Sequence, residues 1–270
     1  MRPRHLINAG CVALALAAQP LSAQTADDHV DLELVLAVDV SGSMDFNEQR
    51  IQRDGYVRAF RDPQVQRAIA SGPYGRIAVT YVEWSSAYYQ QVVVPWRVIG
   101  GAADAGALAD ELHRAPIGHD RSTSISGGLL YSLSAFDSAT VRGDRRTVDV
   151  SGDGANNDGG PVAKVRDLLV AQGITINGLP ILLDPTPIFG DAGIISLEDY
   201  YSGCVIGGPA SFEIPIRTLE EFPTAIRRKL ILEIASTAPT EVPVASILPS
   251  PQPSVDCLAG EKSRGRNGFP

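Results

Sequence analysis

Apolar residues along the chain follow two alternating rhythms. Val30 to Val40 (VDLELVLAVDV) opens with polar and apolar positions in turn, then becomes continuously apolar over Leu34 to Val38. Such a run suits a central strand covered on both faces. Between Asn47 and Ser71, Ile51, Val57, Phe60, Val65 and Ile69 recur at helical spacing, and Pro63 predicts a kink or a second short helix. Two β-rich runs follow, Arg76 to Trp84 and Tyr89 to Val98, joined as a hairpin through residues 85–88. Pro95 has no N–H for a ladder, which puts the second run at a sheet edge.

Helices are expected over Ala103 to His113 and Ser124 to Phe136, and a short strand over Thr147 to Val150. Asp158 to Ala171 reads as a helix capped by Asp158, ended by Gly173 and followed by a strand from Ile174 to Leu183. Residues 184–210 are loop-rich, with Ser196 capping a short helix through Tyr201. Phe212 to Ile216 reads as a last strand and Leu219 to Ile234 as a last helix. Strands separated by helices call for an α/β fold with a mostly parallel sheet and helices on both faces.

The two ends differ from this body. Arg2 and Arg4 precede an apolar stretch from Ile7 to Leu16, and Pro20 and Ala23 complete the pattern of a secretory signal over residues 1–23. The alternative is a buried N-terminal helix. No other run reaches the length needed to span a bilayer. Residues 236–270 hold six prolines in 35 residues, the composition of a flexible tail. The body is thus one domain over residues 24–235. Cys204 lies in the body and Cys257 in the tail; they read either as a disulfide tying the two together or as independent thiols.

Composition narrows the classes. Hydrophobic residues at 44% exclude a disordered chain, and three cysteines exclude a disulfide-stapled scaffold. The net charge is −8, and loss of Arg2 and Arg4 with the signal leaves 21 basic against 31 acidic residues, or −10. A broad basic field for nucleic acid is therefore not expected.

In such a sheet, ligands bind where loops converge beyond the carboxyl ends of the strands. The first strand leads into Asp39-Val40-Ser41-Gly42-Ser43, and the Thr147 strand into Ser151-Gly152-Asp153-Gly154. Between them in sequence lies Asp120-Arg121-Ser122-Thr123-Ser124, ahead of a helix. Carboxylates and hydroxyls from three such loops can surround one hard cation. Taken singly, each loop is better explained by turn chemistry than by a ligand, since Asp and Ser bond readily to local backbone.

Together these residues resemble the metal-ion-dependent adhesion site (MIDAS) of von Willebrand factor type A domains. Asp39, Ser41 and Ser43 match the first loop, Thr123 the second, and Asp153 of Asp153-Gly154 the third, although Ser-Gly-Asp-Gly stands where many relatives have Thr-Asp-Gly. The resemblance covers about Val30 to Ala235 and extends to exported bacterial proteins with no established activity. It implies a Rossmann-like three-layer fold with one antiparallel edge strand. It also implies a metal held by Ser41, Ser43 and Thr123, with Asp39 and Asp153 acting directly or through water. Mg²⁺ is the expected ion, with Mn²⁺ and Ca²⁺ as alternatives. A Glu or Asp carboxylate of a protein partner would complete the shell. The implied role is binding in the periplasm or outside the cell, not turnover. A passive domain with a stabilising metal, or a serine- or metal-dependent hydrolase, are the other readings.

Several residues carry less. Asn156, Asn157 and Asp158 read as loop and helix cap, with support of the metal loops or a second ion as the alternative. A Ser43, His119 and Asp153 triad can be drawn on paper, but no His-Glu-x-x-His pair, phosphate loop or nucleophile elbow is present. Trp84, Tyr88, Tyr89 and Trp96 read as core and edge packing around the hairpin.

Overall fold

The apolar run that starts the body forms His29–Val30 (β1) and Leu32–Asp39 (β2), and every residue of β2 is buried. The structure, a computed structural model, describes residues 29–183, 187–191, 193–236 and 255–266. The expected signal over residues 1–23 and most of the expected tail lie outside the described residues.

After β2, Asp45 accepts from the Glu48 N–H while the Glu48 carboxylate accepts from the Asp45 N–H, starting Phe46–Arg61 (α1) with a capping box. Pro63 resolves as the start of a second helix, Pro63–Ala70 (α2), with Asp62 ending one helix and capping the next. Ile77–Trp84 (β3) and Gln90–Ile99 (β4) make the hairpin, followed by Ala102–Arg114 (α3) and Ile125–Asp137 (α4). Arg142–Gly143 (β5) pairs with β1, and Arg146–Gly152 (β6), Val162–Ala171 (α5) and Ile174–Pro180 (β7) follow. Ile188–Gly190 (β8) and Gly193–Ile195 (β9) form a small ribbon. Leu197–Tyr200 (α6) runs into a π-helical turn, Tyr201–Val205, and Phe222–Ala235 (α7) and Ala259–Arg266 (α8) close the list.

The main sheet has the order β4-β3-β2-β6-β7, parallel except for β4, which is the antiparallel edge. Its ladder shifts register around Pro95, which cannot donate to β3. Alternate β2 residues divide the core. Leu32, Leu34, Leu36 and Val38 pack with α1, α2, α3 and α7, while Val35 and Ala37 pack with α4 and α5. The sheet is therefore sandwiched between two helical layers.

Two expectations change. The run from Phe212 to Ile216 lies along β7 through isolated bridges at Glu213 and Ile216 but forms no continuous strand. Ile214 donates to the Gly178 carbonyl and Ile216 to the Pro180 carbonyl, but Pro180 has no N–H to give the Ile214 carbonyl, which interrupts the ladder. The expected flexible tail, residues 236–270, contains α8, and Cys257 is disulfide-bonded to Cys204. Five of the six prolines precede α8 and the sixth is Pro270; Ala259 to Arg266 contains no proline and is free to form a helix.

Candidate metal centre

Strand β2 sits between β3 on one side and β6 on the other, so the chain's winding reverses at the β2–β6 boundary. This is the switch point at which α/β sheets open a crevice. Register places Val38 beside Ser151, so the carboxyl ends of both strands emerge together. Asp39 ends β2, and Asp153 follows β6.

The third loop is brought to the same place by backbone. Asp120 donates its N–H to the Val40 carbonyl at 3.4 Å and bridges to Ser41 in parallel register. Ser124 donates its N–H to the Ser85 carbonyl at 2.6 Å, and the Ser85 hydroxyl donates to the Ser122 carbonyl at 2.6 Å. The hairpin tip thus clamps residues 122–124. Ser124 is taken up in capping α4, accepting from the Gly127 N–H at 3.1 Å. Thr123 is left facing the crevice.

The five residues picked out by sequence meet there in one chain of contacts. Thr123 Oγ1 donates to Ser41 Oγ at 3.4 Å, Ser41 and Ser43 hydroxyls lie 3.0 Å apart, and Ser43 Oγ donates to Asp153 Oδ1 at 2.7 Å. Asp39 Oδ1 accepts from the Ser41 N–H at 2.7 Å, whereas Asp39 Oδ2 is buried with no hydrogen-bond partner among the described residues. The cluster runs from buried Asp39, Ser41 and Thr123 outward to exposed Ser43. It therefore has an open side.

Electrostatics disfavour two bare carboxylates here. Burial, then the charge of Asp153, pushes the Asp39 carboxyl well above its ordinary range. Burial pushes Asp153 up to about 6, against the lowering effect of the Ser43 hydroxyl. A divalent cation would reverse that field and give Asp39 Oδ2 a partner. The donors are all hydroxyl or carboxylate oxygens, and no group of three or more His, Cys, Asp and Glu gathers for a metal among the described residues. That chemistry fits a hard ion that keeps some water, and not a soft one.

A hydrolytic triad is not assembled. Ser43 bonds directly to Asp153, and His119 Nδ1 faces Gln49 Nε2 at 3.4 Å.

The residues after Asp153 take the alternative role, supporting the metal loops, and Tyr201 lay outside the sequence reading of the site. Asp158 does not cap α5, which begins at Val162 with Pro161 before it. Instead its carboxylate accepts from the Ala87 N–H at 2.8 Å, and Asn157 holds Thr123 through a pair of bonds, Thr123 N–H to Asn157 Oδ1 at 3.1 Å and Asn157 N–H to the Thr123 carbonyl at 2.8 Å. Tyr201 is fully buried near Asp39, its hydroxyl also without a partner among the described residues. Only its position in a π-helical turn brings it there, which no local pattern announces.

A sequence family described as "Protein of unknown function (DUF1194)" matches residues 29–238. No curated protein matches the chain. Among solved structures, proximal thread matrix protein 1 from the mussel byssus aligns with a TM-score of 0.57 at 14% identity, covering 76% of this chain and 48% of that one. That protein has also been solved with a zinc-occupied MIDAS motif. The pilus adhesin SpaC from Lactobacillus rhamnosus GG aligns with a TM-score of 0.54 at 16% identity, covering 76% and 30%. A von Willebrand factor type A structure from Catenulispora acidiphila aligns with a TM-score of 0.50 at 13% identity, covering 76% and 43%. This chain spans less than half the length of each. At these identities the likeness establishes the fold, that of a von Willebrand factor type A domain.

Proposed function

The chain belongs to this family of proteins of unknown function, and we propose that it is an exported, metal-dependent protein-binding domain. Ser41, Ser43 and Thr123 would hold a divalent cation, Mg²⁺ before Mn²⁺ or Ca²⁺, with Asp39 and Asp153 acting directly or through water. A Glu or Asp carboxylate of a protein partner would take the remaining position on the open side.

The observation that carries this reading is the buried, unpartnered Asp39 Oδ2 beside a continuous chain of hydroxyls ending at Asp153. Leaving a buried carboxylate oxygen unsatisfied costs stability unless a ligand compensates. The zinc-occupied MIDAS of the mussel protein and the adhesive role of the SpaC pilus protein support the same reading by analogy of fold. Phe46 is 68% exposed and Tyr88 99% exposed. Phe46 opens α1 just after the Asp39 loop and Tyr88 lies in the turn between β3 and β4, where they would give a partner apolar contact around its carboxylate. The Cys204–Cys257 disulfide suits an oxidising compartment, periplasmic or extracellular. Among the described residues no helix is long and apolar enough to cross a membrane.

Calorimetric titration with Mg²⁺ and Mn²⁺ tests the site. Saturable binding by the parent chain should be lost in both Asp39→Ala and Asp153→Ala. Equal affinity in all three proteins would remove the metal reading. Pull-down from envelope and medium fractions, with Mg²⁺ or with chelator, tests the partner. A metal that raises the melting temperature through linkage but retains no protein would mark the passive domain instead.

A further inference from the structure

Residues 255–266 come from the proline-rich end, yet they pack against the loop that follows Asp153. Arg264 Nη1 donates to the Asn157 carbonyl at 3.1 Å and pairs with Asp158 Oδ1 at 2.9 Å. Glu261 Oε1 accepts from Asn156 Nδ2 at 2.8 Å. Gly260 lies so close that a Cβ there would stand 2.1 Å from the Asn156 carbonyl oxygen. The loop residues they hold are those that hold the metal centre. Asn157 brackets Thr123 by two bonds, Asn156 Oδ1 accepts from the Ser126 N–H at 2.9 Å in the first turn of α4, and the Asp158 carboxylate also takes the Ala87 N–H.

The same segment reaches the other side of the crevice. Cys257 is bonded to Cys204, which lies in the π-helical turn that carries Tyr201 to the Asp39 carboxylate. Val255 packs against Gly203 in that turn, and Tyr200 donates its hydroxyl to the Cys257 carbonyl at 3.3 Å.

We propose that this disulfide-anchored C-terminal segment is a brace for the metal centre, with Arg264 and Glu261 as positioning residues that act through Asn157 and Asn156. The inference rests on the metal-binding reading above. Residues 153–161 contain no helix or main-sheet strand, so ordering them costs conformational entropy. An eight-residue helix is too short to persist alone; the covalent bond at Cys257 keeps it at the loop. With the brace in place, Thr123 is held before a cation arrives, and binding need not supply that order. Without it, part of the binding free energy goes into ordering the loop. Partners that orient metal ligands from behind change metal affinity by about 10–100-fold.

The test uses the full mature chain and Mn²⁺ alone, followed by calorimetry and by the paramagnetic resonance line shape of the bound ion. Arg264→Ala should weaken Mn²⁺ binding about tenfold, broaden the line, and speed hydrogen exchange at the Thr123 amide in metal-free protein. Both Arg264 bonds come from one nitrogen, so Arg264→Lys should restore most of the affinity. Cys204→Ser with Cys257→Ser should shift affinity in the same direction. If Arg264→Ala binds Mn²⁺ like the parent, the brace is overturned while the metal site stands. It is equally overturned if Arg264→Ala lowers only the melting temperature and Arg264→Lys rescues nothing, because the segment is then a structural staple. If the parent binds no Mn²⁺, the metal reading falls and this proposal with it.

Discussion

The Asp39 carboxylate and the Tyr201 hydroxyl approach one point above Gly152, where a Cβ would lie 2.8 Å from Asp39 Oδ2 and 2.8 Å from Tyr201 Oη. Both oxygens are buried and without partners among the described residues. Burial, then the charge of Asp39, pushes the Tyr201 hydroxyl well above its usual range, so it keeps its proton and remains a donor. The end of β6 can pass this point because residue 152 has no side chain. Gly152→Ala should force the two groups apart at a cost of about 1–3 kcal/mol and weaken metal binding. Denaturant unfolding and Mg²⁺ titration of the variant check both effects; unchanged values would mean the backbone moves aside freely.

Asp39→Asn should separate stability from binding. Metal-free, it removes a buried charge next to a second carboxylate, so the melting temperature should rise by a few degrees at pH 8. The further rise that Mg²⁺ gives the parent should disappear. Scanning calorimetry with and without Mg²⁺ reads both, and a metal-free variant that melts lower than the parent would contradict this account of Asp39.

Glu213 sets a pH dependence away from the metal loops. Burial, then the charges of Glu198 and Asp199, pushes its carboxyl up to about 7 in the folded chain, against an ordinary 4.5. The folded state therefore binds the proton more tightly than the unfolded state. Its contribution is fully present below about pH 4.5 and is lost as pH rises through about 7. Glu213→Gln should melt above the parent at pH 8 and level with it near pH 4. Melting curves across that range check the sign, and a gap that widens toward acid would refute it.

Lys229 is the only cation in direct contact with two buried carboxylates beneath the sheet among the described residues, 2.7 Å from Asp149 Oδ1 and 2.6 Å from Glu233 Oε1, with Asn177 also donating to Glu233 at 3.0 Å. This pins α7 to β6. Lys229→Met removes the counter-charge of both acids and should cost about 3–5 kcal/mol at pH 8, less at pH 5, below the value of about 7 to which burial pushes Glu233. Urea titration at the two pH values tests this; a cost under about 1 kcal/mol would show that the site relaxes without the lysine.

Much of the architecture was legible because the governing signals are local. The apolar run of β2, the helical spacing in α1, the start of α2 at Pro63 and the edge position of Pro95 each follow from side-chain periodicity or a missing N–H. The five oxygen-bearing residues were legible for a related reason: each follows a strand or precedes a helix, so a parallel sheet must deliver their loops to one edge. Phe212 to Ile216 misled because its own composition is β-rich, while the gap in the ladder comes from Pro180 in the neighbouring β7.

The sequence by itself determined the alternation that demands an α/β sandwich, the oxygen-bearing side chains of Asp39, Ser41, Ser43, Thr123 and Asp153 in the loops of one sheet edge, and the presence of Cys204 and Cys257, which can pair. Only the tertiary structure decided which groups stand behind that chemistry. Asn157, Tyr201 and Arg264 are separated by long stretches of chain, and nothing periodic links them. Their contacts exist because the β2–β6 boundary, a π-helical turn and a disulfide-tethered helix close around one point. Local propensity acts over a few residues, whereas that closure depends on packing across the whole sheet.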